Sequence, residues 1–450
     1  MMKVRARRVF STLVFSLAVA LAGQSQTYTD LFNFDGTHGA SPSYPQLLAQ
    51  GRDGILYGTA PSGGRFNGGV VFRLTQAGTP RIMRDMTNPD GDVPYSGLTL
   101  GADGDFYGVA FSGGMASDGT VFKIASNGTL TDLYNFTSAD ARPQAPPVQA
   151  ADGYLYGTSS RIAYRITSAG AYAALGTIPG ASYGALVQAT DGSFYGTTYD
   201  GGTSNDGTVF KVRTDGTVTT VVNFDFTHGS QPYGSLIQSS DGNFYGTTKE
   251  GGSNKQGVAF KLTPQGVLTV LHNFPDTNYP GDGATPTAGL IQGSDGNFYG
   301  VAALSSTGSS CGVIFEITAV GGYSILYNFD CADGGNPLST PMQHTNGTIY
   351  GLTDSGGPDG DGVLYSFDLG LPPFAKLLPL SGESGNVIGI LGQGFTGTTS
   401  VGFNGTAAAF KVISDTFLQA TVPAGATTGA VTVSTEGGVL ISNQQFRVIQ

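Results

Sequence analysis

Nine acidic side chains, Asp90, Asp92, Asp200, Asp206, Glu250, Asp276, Asp282, Asp359 and Asp361, fall in polar, glycine-rich stretches between short apolar runs. Carboxylates carried on loops can coordinate Ca²⁺ through hard oxygen ligands, or they can work in pairs as general acid and base. The sequence supplies no catalytic frame around them. The four histidines, His38, His228, His272 and His344, stand apart from any GxSxG, HExxH or CxxC pattern, so none reads as a triad or zinc member. No carboxylate pair recurs at a catalytic spacing. These residues, with Arg65, Phe66 and Tyr199 in the same loops, therefore read as a binding face, with Ca²⁺ the one cofactor their chemistry suggests.

A second acidic set is regular. Asp53, Asp103, Asp152, Asp191, Asp241 and Asp295 each precede glycine, and Asn346-Gly347 takes the seventh place. A ring of metal ligands would need the charge that asparagine lacks, whereas a turn accepts either residue. Asp-Gly predicts a two-residue hairpin turn with positive φ at both positions. Tyr-Gly follows each turn, at Tyr57, Tyr107, Tyr156, Tyr195, Tyr245, Tyr299 and Tyr350. A tyrosine at the same place in every copy is what packing between sheets requires, with glycine permitting close sheet contact.

These residues must be positioned by a repeated unit. Residues 235–274 show it: SLIQSS, the Asp241-Gly242 turn, NFYGTTK, the loop EGGSNKQG, VAFKLT, the turn PQG, then VLTVLHNF. Four short strands joined by two tight turns and one loop make an antiparallel sheet the size of a propeller blade. Seven copies, from about Thr27 to Gly370, predict a seven-bladed β-propeller. The segment TDLFNF at 29–34 matches the fourth strand of other copies, such as TDLYNF at 131–136, while the seventh copy stops after GVLYSF at 362–367. The first strand is therefore expected to complete the last blade and remove an exposed edge. The third copy lacks the glycine loop and the sixth replaces it with ALSSTGSS. The loops after the second strand and between blades share one face, which carries the nine acidic residues.

The sixth copy carries the two cysteines. If Val313–Ile317 and Ile325–Phe329 pair about a turn near Gly321, Val313 faces Phe329, Ile317 faces Ile325 and Cys311 faces Cys331, within disulfide reach.

Composition fits this reading. Of 450 residues 71 are glycine, and 12% are charged, as in a turn-rich all-β protein. Trp is absent, which removes the side chain best suited to stacking on sugars. Met1–Ala22 has a basic start (Lys3, Arg5, Arg7, Arg8), an apolar run from Val9 to Val19 and small residues at its end, the pattern of a secretory signal peptide. That run is too short to span a bilayer and no later segment is longer, so no transmembrane segment is expected. Removing Met1–Ala22 takes the net charge from −11 to −15. Beyond Pro373 three bases balance three acids, so the charge sits on the repeats and argues against nucleic acid and anionic membranes.

After Leu371–Pro373, a stiff linker, residues 374–450 alternate short apolar runs with glycine-rich turns, the pattern of a β-sandwich. Ser381-Gly382, ILGQGF at 390–395, SVGFNGTAA at 400–408 and VPAGATTGAVTV at 422–433 closely resemble IPT/TIG domains. That resemblance implies an immunoglobulin-like spacer module without catalytic residues. The repeats, through DGNFYGTT at 241–248, Gly251-Gly252, Val209–Val212 and HNF at 272–274, resemble the GloVer tandem repeats of exported bacterial proteins, a family that implies no activity. The expectation is an exported, non-enzymatic protein of the cell surface, periplasm or medium. Its loop face would recognise an extracellular glycan or a surface protein. The alternative is a propeller-based lyase or hydrolase acting on carbohydrate.

Overall fold

A computed structural model describes residues 26–43, 48–75, 78, 80–137, 141–275, 283–303 and 311–449. The signal-like segment therefore lies outside the described residues, as do Asp276 and Asp282.

Seven four-stranded antiparallel sheets precede the sandwich. The fifth is representative: Ile237–Gln238, Phe244–Thr248, Val258–Leu262 and Leu268–Asn273. Burial explains its composition. Phe244–Thr248 is buried along its whole length and Val258–Leu262 at all but Lys261, so both need apolar or small residues on each face. Leu268–Asn273 is only partly buried and carries polar residues among its apolar ones. Gly246 pairs with Phe260, whose ring would come within 2.8 Å of a Cβ at that position. The repeated glycine therefore makes room for a phenylalanine of its own sheet rather than for the neighbouring sheet.

The Asp-Gly turn differs from the two-residue form that the dipeptide predicts. Only Gly242 has a positive φ, +81°. Ser239 and Gly242 close the turn (Gly242 N to Ser239 O, 2.9 Å), and Ser239 N bonds Asn243 O at 2.9 Å. The longer loop leaves the aspartate side chain free to accept the Asn243 N–H at 2.9 Å.

Thr27–Asn33 pairs antiparallel with Val363–Asp368, giving the seventh sheet its outermost strand from the other end of the chain. Phe34, Leu56, Val70 and Phe72 share one core cluster with Leu352 and Leu364, which joins the first sheet to the seventh. Elsewhere tyrosines stack on the phenylalanine of the next sheet: Tyr57 on Phe106 at 4.1 Å, Tyr156 on Phe194 at 4.1 Å and Tyr245 on Phe298 at 4.0 Å.

The sandwich packs the sheet of Lys376–Leu378, Val387–Leu391, Phe417–Thr421 and Phe410–Ser414 against that of Thr406–Ala408, Ser400–Phe403, Val431–Thr435 and Gly438–Ile441. Ile388, Ile390, Phe395, Phe403, Leu418 and Val433 fill the space between.

The sandwich is docked rather than held away as a spacer. Phe417, Leu378 and Leu391 join the core cluster of Tyr57 and Phe106. The Arg52 guanidinium lies 4.4 Å from the Phe417 ring centre, Thr416 Oγ1 donates to Arg52 O at 2.6 Å, and Gln445 Nε2 donates to Ser240 O at 3.1 Å. Arg52 and Ser240 belong to Asp-Gly turns, so the sandwich covers the turn end of the sheets.

Candidate functional site

At the turn end the repeated residues bind one another. Each phenol donates to its turn aspartate: Tyr57 to Asp53 at 2.8 Å, Tyr107 to Asp103 at 2.6 Å, Tyr156 to Asp152 at 2.6 Å, Tyr195 to Asp191 at 2.9 Å, Tyr245 to Asp241 at 2.8 Å and Tyr299 to Asp295 at 2.8 Å. Burial and the facing carboxylate push these phenols up, to about 12 at Tyr57. Burial raises Asp241, but Asn243, Tyr245 and Lys261 outweigh it and hold the carboxyl at about 2. A glutamine ending the innermost strand ties five sheets to the turn of the sheet before. Gln50 bonds Thr345, Gln149 accepts from Ala102 N, Gln238 from Thr190 N and Gln343 from Ser294 N, and Gln292 donates to Ser239 Oγ. Each of these turn aspartates is thus engaged by internal partners.

At the loop end the connections between sheets pair with the loops after the second strands. Asp92 bridges Ser112, Ser230 bridges Glu250 and Gly335 bridges Ser355. Most of the nine acidic residues serve this framework. Asp90 is buried and takes the Arg84 guanidinium through both Nη2 (2.6 Å) and Nε (3.1 Å), with Thr87 Oγ1 at 2.7 Å. Asp200 accepts from Arg161 Nη2 at 2.8 Å and Ala181 N at 2.7 Å. Asp206 accepts from Ser230 Oγ at 2.7 Å and Asp92 from Asn88 Nδ2 at 3.3 Å. Asp361 gives its carbonyl to Ser41 N at 2.8 Å, and Asp359 is exposed. His38 and His228 lie in equivalent loops, each with Nδ1 2.9 Å from the aspartate three residues before it. Among the described residues no three carboxylate, imidazole or thiol groups converge on a metal site.

What does converge is aromatic. Tyr183 and Tyr233, each four residues before the start of an innermost strand, stack at 4.6 Å. Tyr199, in the loop after a second strand, packs edge-on against both, at 5.5 and 6.1 Å. Tyr95 holds the same position in the second sheet, 4.8 Å from Phe111, over which Arg142 lies at 5.6 Å. Burial, then the phenols of Tyr183, Tyr95 and Tyr199, push Tyr233 up. Burial, then Glu250 and Asp200, push Tyr199 up. All four tyrosines are only partly buried. Tyr199, Asp200 and Glu250 thus do come together, around a platform that the sequence reading missed. Its signal was available: the position eight residues before each turn Asp or Asn holds Tyr95, Tyr183 and Tyr233 in three copies and Gln144, Thr287 and Leu338 in others.

The cysteines are bonded, Cys311 to Cys331, with Cα atoms 5.2 Å apart. The register leading to them differs from a regular hairpin. Val313 faces Asn328 and Ile317 faces Tyr323, with a bulge after Ile314. Phe329 N bonds Gly312 O at 3.0 Å, and a positive φ of 72° at Cys331 turns the chain back toward Cys311.

The Gloeobacter/Verrucomicrobia repeat matches residues 12–169 and 162–365, and the IPT/TIG domain matches 372–448. The chain belongs to the Gloeobacter/Verrucomicrobia repeat family. No curated protein matches it. Among solved structures, virginiamycin B lyase from Staphylococcus aureus is similar with a TM-score of 0.54 and 14% identity, over 76% of this chain and 98% of that one. A fungal alcohol oxidase of the AA5 family gives 0.51 and 16%, over 91% and 98%. The extracellular domain of a hybrid two-component system from B. thetaiotaomicron gives 0.52 and 10%, over 93% and 58%. At these identities the likeness is one of fold: this repeat-family member is all-β, with propeller-like sheets followed by an IPT/TIG domain.

Proposed function

We propose that the chain is an exported, non-enzymatic binding protein. Its seven sheets are the blades of a closed propeller spanning residues 27–370, joined through 371–373 to the IPT/TIG sandwich at 374–450. The strand Thr27–Asn33 on the last sheet and the core shared by the first and seventh sheets support closure. Export is supported by the signal-like Met1–Ala22 and by the disulfide, which oxidising compartments permit. The fold shared with the extracellular domain of a hybrid two-component system agrees with it.

The observation that carries the binding function is the half-buried stack of Tyr183 and Tyr233, flanked by Tyr199 and Tyr95 at the loop end. Rigid aromatic faces with phenol tips suit the apolar faces and hydroxyls of a sugar ring, and such residues dominate recognition surfaces. Asp200 and Glu250 at the edge can accept bonds from ligand hydroxyls. A glycan is therefore the ligand class, with tyrosine in the role Trp would fill. A glycan array probed with the secreted protein, and with the double variant Tyr183→Ala/Tyr233→Ala, tests this. The expected result is a glycan hit whose affinity falls at least tenfold in the variant while melting changes little. An array without hits, or equal binding by the variant, overturns it.

A further inference from the structure

The innermost strands of all seven sheets, with the sandwich laid across one end, enclose a cavity of about 340 Å³. Small-ligand sites occupy roughly 300–1,000 Å³. Aliphatic side chains, among them Leu48, Val148, Val187, Ile237, Ile291 and Met342, line it. The glutamine amides beside them are largely committed to bonds between sheets. Among the described residues one ionisable side chain lines this cavity, Lys376 of the sandwich. Strand alternation places it there. Ala375 and Leu377 belong to the sandwich core, so Lys376 and Leu378 leave the opposite face, and Leu378 packs against the sheets' turn end.

Among the described residues Lys376 Nζ forms no hydrogen bond and no ion pair. Burial pushes its amine down, and no neighbouring acid counters that. The ionisable group it influences is His344, which burial, and less strongly the lysine's charge, push down as well. Lys376 keeps part of its surface accessible, but an ammonium set among apolar walls without a counter-charge still loses hydration, a cost that an apolar side chain of the same length would avoid. An anion small enough for the cavity, with an aliphatic body, complements both the ammonium and the apolar walls.

We propose that this cavity binds a small amphiphilic monocarboxylate, its carboxylate on Lys376 Nζ and its aliphatic chain along the innermost strands. The site is separate from the tyrosine platform and stands or falls without it. Calorimetric titration of the full chain with sodium decanoate, and with 1-decanol as its uncharged counterpart, tests the pairing. Decanoate should bind one per chain, at least tenfold tighter than decanol. Lys376→Met should lose at least tenfold in decanoate affinity, keep its decanol affinity and melt no lower than the parent, while Lys376→Arg should retain most of the preference. Absence of decanoate binding to the parent, equal affinity for decanol, or unchanged decanoate affinity in Lys376→Met would each overturn the proposal. If Lys376→Met does not fold, the decanoate–decanol comparison on the parent decides alone.

Discussion

At the turn end every sheet presents the same hairpin, six of them the same phenol-to-aspartate bond and four the same glutamine-to-backbone tie, and a second domain is laid across them. At the loop end the corresponding positions hold different residues in different sheets, and tyrosines gather on one side. Repetition marks the end that holds the molecule together, because packing makes the same demand of every sheet. Departure from repetition marks the end where one side can be specialised, since a loop on a rigid scaffold can change without cost to its neighbours.

The comparison breaks most severely if the body does not need its first strand. Deleting residues 26–34 strips the outer strand from Val363–Asp368 and removes Phe34 from the core between the first and seventh sheets. Aggregation, or a fall in melting temperature of more than about 10 °C, is expected by calorimetry and size-exclusion chromatography, since a buried phenylalanine alone contributes about 3–5 kcal/mol. Unchanged melting and monodispersity would show that the seventh sheet is independent of the first strand.

Phe417→Ala probes the covered end. The ring is 3% exposed, lies under Arg52 and belongs to the cluster holding sandwich to sheets. A loss of about 3–4 kcal/mol in urea unfolding is expected; a loss below about 1 kcal/mol would mean that the contact is incidental. The cysteines lie on the other side of the comparison, next to the loops. Cys311→Ser/Cys331→Ser removes a bridge across a separation of 20 residues and should cost on the order of 3 kcal/mol, with the fold retained. Two free thiols in oxidised protein, measured by mass spectrometry, would count against the bridge.

The smallest effect is one of pH. Asp241 is held at about 2, below its ordinary 3.8, so its bonds add stability above pH 4 that is lost as pH falls toward 2. The carboxylate is 38% exposed, which screens the effect. Asp241→Asn should flatten the acid limb of urea midpoints between pH 4 and 2 slightly and leave pH 7 within about 0.5 kcal/mol. An acid limb identical to the parent's would remove the turn carboxylate from the account of acid stability.

Much of this was legible in the residues. Repeat spacing and period-two patterning were enough for the sheets, and the split repeat for the pairing of Thr27–Asn33 with the seventh sheet. Turn chemistry was less so. Asp-Gly names a turn, but the loop length that frees the aspartate for its tyrosine depends on register. The disulfide was found through a regular hairpin that a bulge actually interrupts; a positive φ at Cys331 restores the approach. The acidic residues were legible as loop residues but not as partners of Arg84, Arg161 and Ser230, because such bonds join segments that only the fold brings together. Lys376 gave no signal at all, since nothing in the sandwich sequence says which domain face its strand will meet.

The pairing of Asn33 with Val363 spans 330 positions. During synthesis the first strand emerges long before its partner exists. It must wait, with its backbone donors and acceptors unmatched, while six complete sheets form behind it. The entropic toll of the closure grows only logarithmically with that distance, by roughly 0.6 kcal/mol per doubling, but so distant a contact makes the final step slow. The newborn chain therefore passes through a long interval as an unlatched clasp, when another copy's strand could take the vacant edge.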